Sequence, residues 1–279
     1  MSQTKHQIQT ILAGAGASPQ HRFGQNFMID QNLVRLVAEA GMIHPNDLVI
    51  EVGPGTGTLT EELLSRAGAV LTVEIDRGMA RILRERFGGN EKFQLIEGDA
   101  LAGKHELNLE LSAALRAAAK QKRVVKLVAN LPYNIASPLV IDLLIAGVEI
   151  LAFTVQKEVA DRLRAGVNDD AYGPLSIVAQ MLSRIEVLRT LPPQAFWPAP
   201  KVDSALVRMT RENKLGERAE KFSTFVHQIF SFRRKTLKKS LTQSEYDPAV
   251  LNKLKIDPQL RPENLSPSQF LEMFDALVK

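Results

Sequence analysis

The sequence predicts an α/β fold, with a doubly wound parallel sheet, helices on both faces, and a small all-helical domain after it. Two observations carry this. Seven short apolar runs alternate with segments of helical spacing between Asp30 and Thr210, and that alternation argues parallel strands joined by crossover helices. Beyond Thr210 the strand signal stops, and residues 218–279 keep helical spacing alone, broken by Pro248, Pro258, Pro262 and Pro267. A boundary near 211 follows. A chain of 279 residues with 45% hydrophobic and 24% charged residues is long enough to bury its own core and reads as a globular protein.

The elements follow in order. Residues 1–21 have a short Gly- and Ala-rich run and read as a flexible lead. Asp30 precedes Leu33, Leu36, Val37 and Ala40, one face of a helix that Gly41 stops. Leu48–Val52 is a buried strand entering a glycine turn, and Thr58 with Glu61 forms a capping box for the next helix, closed by Gly68. Strand 70–75, helix 77–87 ended by Gly88 and Gly89, and strand 93–96 come next. An Ala- and Leu-rich helix over 106–120 leads to strand 124–129. Helices over 139–146, 158–164 and 175–182 and strands over 150–156, 185–190 and 204–209 complete the first domain.

Composition removes whole classes of function. With no Cys, disulfides, Cys–zinc sites, iron–sulfur clusters and thiol nucleophiles are excluded. The five His are scattered without ligand spacing, so no metal site is expected. No run approaches the ~18 apolar residues of a membrane helix, and the N-terminus lacks the pattern of a secretory signal, so the protein reads as cytoplasmic. The net charge of +4 is unevenly placed. Residues 211–279 hold 13 basic against 9 acidic residues, while the rest is balanced at 22 of each. Arg233, Arg234, Lys235, Lys238 and Lys239 fall within seven positions without an acid. Such a run is either a solvated face or a surface for a polyanion, and the neighbouring aromatics favour the second.

The chemistry lies at consecutive strand ends. Glu51-Val-Gly53-Pro-Gly55-Thr-Gly57 lets a ligand approach the backbone where the first strand ends. It is not a nicotinamide fingerprint, because position 58 is Thr, and the chain has no P-loop. It matches the E-x-G-x-G-x-G turn of S-adenosylmethionine-dependent methyltransferases; the alternative is a turn that merely connects strand to helix. Glu74 closes the second strand, where a carboxylate can accept from both hydroxyls of a ribose. Asp99 closes the third and is placed to accept from an adenine amine. Asn130-Leu-Pro-Tyr133 closes the fourth. The Asn side-chain carbonyl and the following backbone carbonyl can each accept one hydrogen of an exocyclic amine, with Pro132 fixing the turn and Tyr133 stacking on the base. Methyl transfer from a sulfonium needs positioning more than a strong base.

With these motifs the chain resembles the bacterial small-subunit ribosomal RNA adenine dimethyltransferases, the kasugamycin-resistance family. The resemblance runs from Arg22 onward through Gly24-Gln-Asn-Phe-Met28, the glycine turn, Asn130-Leu-Pro-Tyr-Asn-Ile135, Gln156-Lys-Glu-Val159, Ala171-Tyr-Gly173, Phe196-Trp-Pro-Ala-Pro-Lys-Val-Asp-Ser204 and Phe232-Arg-Arg-Lys-Thr-Leu237. It implies a seven-stranded methyltransferase sheet over residues 22–210 and a helical RNA-binding domain over 211–279. It also implies transfer of methyls from S-adenosylmethionine to two adjacent adenosines in a hairpin near the 3′ end of small-subunit rRNA. The partner would be an immature 30S particle, the enzyme a monomer, and no membrane or metal would be involved. By position, Asn26, Met28, Gly53, Glu74, Asp99 and Asn130 would bind the cofactor, with Ile75 and Ala100 beside its adenine. Asn130, Tyr133 and Phe196 would act on the target base, the two aromatics sandwiching it. Arg233, Arg234, Lys235 and Lys238 would meet RNA. Met28 stands where the family usually has Leu, and Trp197 has no role implied by pattern. A large-subunit rRNA substrate and a chiefly assembly-related role are the competing readings. The segments Phe196–Ser204 and Arg233–Lys235 favour the small-subunit family, and the intact Asn130–Tyr133 motif favours retained catalysis.

Overall fold

The computed structural model of the protein describes residues 3–20, 23–103 and 106–278. Arg22, where the expected first domain begins, lies outside them. In chain order the elements are α1 (Lys5–Gly14), β1 (Phe27–Met28), α2 (Gln31–Ala40), β2 (Leu48–Val52), α3 (Thr58–Arg66), β3 (Ala69–Glu74), α4 (Arg77–Phe87), β4 (Phe93–Glu97), β5 (Leu101–Gly103), β6 (Glu106–Leu107) and α5 (Leu109–Lys120). There follow β7 (Val125–Asn130), α6 (Ala136–Ile145), β8 (Ile150–Gln156), α7 (Lys157–Arg164), α8 (Pro174–Leu182), β9 (Ser183–Leu191), β10 (Phe196–Trp197) and β11 (Ser204–Arg211). The chain ends in α9 (Ala219–Phe230), α10 (Leu237–Gln243), α11 (Val250–Lys253) and α12 (Pro267–Leu277).

All seven expected strands enter one sheet, in the order β4-β3-β2-β7-β8-β11-β9. β2 pairs in parallel with β3 and β7, and β3–β4 and β7–β8 are parallel as well. The sheet is not parallel throughout. β11 runs antiparallel to β8 over Ser204–Thr210. The central strands β2, β3, β7 and β8 are largely apolar and buried along nearly their whole length because both faces are covered, as in β2, where all five residues are buried. The chain winds from β2 outward to β4, then returns to the other side of β2 as β7. The sheet order therefore reverses between β2 and β7, and a crevice opens there at the carboxyl ends of the strands.

In the described part of the flexible lead expected over residues 1–21, α1 is a docked helix. Thr4 and Gln7 close a capping box on α1, with the Gln7 N–H donating to Thr4 Oγ1 (3.3 Å) and the Thr4 N–H to Gln7 Oε1 (2.7 Å). One turn apart, Ile8 and Leu12 are 0% and 2% exposed, and they pack with Phe27, Met79 and Ile82. The expected helix over 106–120 begins only at Leu109, because Asn108 caps it by accepting from the N–H groups of Glu110 and Leu111. The segment before it pairs as β5–β6.

The chain also divides differently from a single cut at 211. One compact unit holds residues 1–160 and 186–211, and the second holds 161–185 and 212–279. The physical reason is visible inside the second unit. α8 packs on α9 and α12, and the buried Tyr172 hydroxyl donates to the Leu265 carbonyl (2.8 Å). Phe222, Phe225, Phe270 and Phe274 fill this core, with Phe222 and Phe274 meeting edge to face at 5.4 Å between ring centroids.

Candidate active site

The glycine turn after β2 has φ of 70° at Gly53, 58° at Gly55 and 82° at Gly57, values that glycine alone adopts without strain. Space demands glycine as well. A Cβ on Gly53 would lie 3.1 Å from Pro132 Cγ, and one on Gly55 only 2.7 Å from Phe27 Cε1. The turn is thus closed in by the Asn-Leu-Pro-Tyr turn and by the N-terminal segment. The expected Thr58–Glu61 capping box does not form. Gly57 takes the N-cap position in a left-handed conformation. The Thr58 hydroxyl donates instead to Gln3 Oε1 (3.0 Å), and Glu61 pairs with Arg86 (3.1 Å). Gln3 also accepts from the Thr56 hydroxyl (2.7 Å) and donates to the Thr56 carbonyl (3.2 Å), so the turn is held by a side chain two residues before α1.

A cleft of about 900 Å³, counted out to solvent, opens in front of the turn. Asn26, Met28, Gly53, Glu74, Asp99 and Asn130 all line it, as do Ile75 and Ala100. Every position expected to bind a cofactor is therefore gathered in one place. Phe27, Glu51, Pro132 and Ile135 also line it, positions for which no cofactor contact was expected.

Glu74 is 4% exposed. The Gly55 N–H donates to its Oε2 (3.2 Å) and the Asp76 N–H to its Oε1 (2.8 Å), so the carboxylate ties β3 to the glycine turn. Burial pushes its pKa up from 4.5 to about 7, with those backbone donors opposing the rise. Burial also pushes Glu51 up to about 8, against a hydrogen bond from the Thr60 hydroxyl (2.6 Å) and with the Glu74 charge adding to the rise. Asp99 is exposed, and one of its carboxylate oxygens accepts from the Leu101 N–H (3.0 Å). Its second oxygen has a free lone pair at the rim.

Asn130 ends β7 as expected. Its Nδ2 donates to the Asn26 carbonyl (2.6 Å), and its Oδ1 accepts from the Thr154 hydroxyl. Residue 26 thus reaches the site through its backbone, while its own side chain donates to the Gly24 carbonyl (3.1 Å). Tyr133 is half-buried, its hydroxyl sharing a hydrogen bond with Ser204 Oγ (2.8 Å) and pushed above its ordinary pKa by burial.

Phe196 departs from expectation. Antiparallel pairing of β1 with β10 sets Met28 opposite Phe196 and Phe27 opposite Trp197. Phe196 is 2% exposed and packs in a core cluster with Met28 and Leu33. The expected two-sided sandwich with Tyr133 is therefore not formed, because strand pairing turns the Phe196 ring inward. Met28 in place of Leu supplies apolar bulk to the same cluster. Trp197 receives a role: its ring stacks on Phe27 at 6.2 Å between centroids, beside the cluster that docks α1.

In the second unit, Phe222, Phe225, Val226, Ile229 and Phe230 form the buried stripe of α9. α9 ends at Phe230, and a turn precedes α10. Arg233, Arg234, Lys235, Lys238 and Lys239 are all exposed, and none forms an ion pair among the described residues. Among the described residues no cluster of metal-ligating side chains occurs, and no helix is long and apolar enough to cross a membrane.

A sheet of this order with a glycine turn after β2, an acid ending β3 and Asn-Leu-Pro-Tyr ending β7 defines the S-adenosylmethionine-dependent methyltransferases. Within that class, the family model for ribosomal RNA adenine dimethylase matches residues 17–279, and the chain belongs to that family. It is 41% identical over 265 residues to the ribosomal RNA small subunit methyltransferase A of Hahella chejuensis, covering 93% of each chain. With the protein of the same name from Clostridium perfringens it shares 39% identity over 270 residues, covering 92% of this chain and 90% of the relative. Its fold matches a dimethyladenosine transferase from Plasmodium falciparum with a TM-score of 0.71 at 25% identity, covering 90% of this chain and 98% of that one. The 23S rRNA methyltransferase ErmE matches with a TM-score of 0.62 at 26% identity, covering 91% of this chain and all of the other.

Proposed function

We propose that the protein dimethylates the exocyclic amines of two adjacent adenosines in a hairpin near the 3′ end of small-subunit rRNA, acting on an immature 30S particle in the cytoplasm as a monomer. The observation that carries the reading is the position of Asn130, at the cleft wall between the glycine turn and the N-terminal segment. The names of the curated relatives favour the small subunit over the large.

The cleft residues suit S-adenosylmethionine. Its floor offers glycine backbone at close approach, Glu74 a buried acceptor for ribose hydroxyls, and Asp99 a free rim oxygen for an adenine amine. Ile75 and Ala100 supply apolar contact for the adenine ring. The bound cofactor supplies an electrophilic methyl on a sulfonium. The protein supplies geometry. Asn130 Oδ1 and the backbone carbonyl after it accept the amine hydrogens and turn the nitrogen lone pair toward the methyl. Tyr133 stacks on one face of the base, and Phe196 acts only by anchoring β10. Holding two reactants in line converts an encounter into a unimolecular step, which is the main source of rate where no strong base is needed. Arg233, Arg234, Lys235 and Lys238 meet RNA phosphates, and residues 212–279 with 161–185 form the RNA-binding unit.

The test is to incubate the purified protein with labelled S-adenosylmethionine and undermethylated small subunits, then map the labelled nucleotides. Two adjacent dimethyladenosines near the 3′ end are expected. Label confined to large-subunit rRNA, or none on the small subunit, overturns the reading.

A further inference from the structure

We propose that Thr154 is a positioning residue for methyl transfer, and that its hydroxyl holds the Asn130 side-chain amide in the orientation that the Asn26 carbonyl selects. The inference rests on the role given to Asn130 above and deepens it.

Thr154 is a polar exception in the middle of β8. It is 0% exposed, and its chain neighbours Phe153 and Val155 are also 0% exposed. Its strand partner in the parallel ladder is Asn130, and the Leu131 N–H donates to its carbonyl (3.3 Å). Its hydroxyl donates to Asn130 Oδ1 and makes no other contact with a polar group among the described residues. A buried hydroxyl needs a partner, and this one finds it on a single side-chain oxygen.

An Asn amide has two nearly isosteric ends, one that only accepts and one that only donates. Asn130 is held at both. The Asn26 carbonyl can only accept, so it takes Nδ2 (2.6 Å). The Thr154 hydroxyl supplies the proton on the opposite side. Flipping the amide would set two oxygens against each other at Asn26. Together the two contacts leave one lone pair on Oδ1 to accept a hydrogen of the incoming amine. Without the Thr154 hydroxyl, only the Asn26 contact remains, and it sits on a different segment of the chain. The amide can then swing about its side-chain torsion, and the acceptor leaves the line of transfer.

Thr154→Val removes the hydroxyl and keeps the branched shape. It should lower kcat about tenfold or more at saturating cofactor and RNA. KM for RNA and calorimetric affinity for S-adenosylmethionine should stay within about twofold of the parent, since the lost interaction acts on the reacting geometry. Thr154→Ser restores the donor and should recover most of the turnover. Thr154→Ala gives the same reading as Thr154→Val should the latter fail to fold. Parental kcat in Thr154→Val overturns the proposal. So does a Thr154→Ser as slow as Thr154→Val, which would mean packing rather than the hydroxyl. A loss appearing only in cofactor affinity, with kcat preserved, overturns it too. Asn130→Ala run alongside separates the two levels. Parental turnover there removes the reading of the site and the proposal with it. An inactive Asn130→Ala beside a fully active Thr154→Val removes the Thr154 inference alone.

Discussion

Replacing Glu74 by Gln should affect stability and cofactor binding differently as pH changes. The neutral carboxyl is favoured in the fold, because burial raises its pKa from 4.5 to about 7. The stability this gives is complete below about pH 4.5 and is lost as pH rises through about 7. Ionising the buried group costs the fold about 1.36 kcal/mol per pKa unit, or about 3 kcal/mol across that window. Gln cannot ionise, so this loss disappears. It brings one carbonyl oxygen where the carboxyl had two, so either the Gly55 or the Asp76 N–H loses its acceptor. That is a penalty of about 1–3 kcal/mol at every pH. The two effects separate in urea unfolding of the cofactor-free protein at intervals from pH 5 to 8. The parent should weaken steadily across the range. The variant should start lower and weaken by about 3 kcal/mol less, keeping the part that Glu51 contributes as it titrates near 8. Affinity for S-adenosylmethionine should fall about 10- to 150-fold at pH 8, where a charge-assisted acceptor is lost. The deficit should shrink at pH 5, where the parent carboxyl is itself neutral. Identical pH dependence of parent and variant stability between pH 5 and 7 refutes the burial argument. Unchanged cofactor affinity at pH 8 refutes the ribose role.

Four further outcomes are expected. Asp99→Ala should weaken cofactor binding by roughly 1.5–3 kcal/mol with the fold intact, and an unchanged calorimetric titration removes Asp99 from the cofactor site. Asn130→Ala should abolish most turnover at saturating cofactor, and Tyr133→Ala should lose base stacking worth roughly 1–3 kcal/mol; near-parental methyl transfer by either contradicts the assigned role. Neutralising Arg234 and Lys238 together should weaken RNA binding across sequences, spare cofactor affinity and flatten the slope of log affinity against log salt by roughly 0.7–0.9 per lost phosphate contact. A folded double variant with the parent's slope shows a merely solvated run. Ile8→Ala should cost roughly 2–5 kcal/mol in thermal or urea unfolding, and an unchanged midpoint shows that α1 is not docked in solution.

The sheet was legible because its strands are short, predominantly apolar runs bounded by turn residues, and that signal survives without tertiary context. Strand direction was not. The pattern of Ser204–Met209 is the same whichever way the strand runs, so the antiparallel β11 had no mark of its own. α1 was missed because only Ile8 and Leu12 face inward, too few to outweigh a Gly- and Ala-rich run. Its capping box, Thr4 with Gln7, was the available signal. The box read at Thr58 and Glu61 failed for a tertiary reason, since Gln3 and Arg86 claim those side chains from distant parts of the chain. At the site, the positions expected to bind a cofactor line one cleft, whereas Thr154 makes a single side-chain hydrogen bond. Its only trace in sequence was a lone hydroxyl in an apolar strand. The inward turn of Phe196 depends on pairing between β1 and β10, two segments of two residues each with no periodicity to read.

The second unit is assembled from two separated stretches, and this governs the order in which its core can form during synthesis. Tyr172 leaves the ribosome 93 residues before Leu265, whose carbonyl receives its hydroxyl hydrogen bond. At roughly 5–20 residues per second, that interval lasts roughly 5–20 s. Leu175, Ile177, Val178, Met181 and Leu182 of α8 lack the α9 side chains until Phe230 is made and the α12 side chains until the interval has ended. A nascent chain halted at Arg211 carries an apolar helix without either of the helices that cover it. Such a helix is a surface for chaperones or for other unfinished chains, and only completion of the C-terminus closes it.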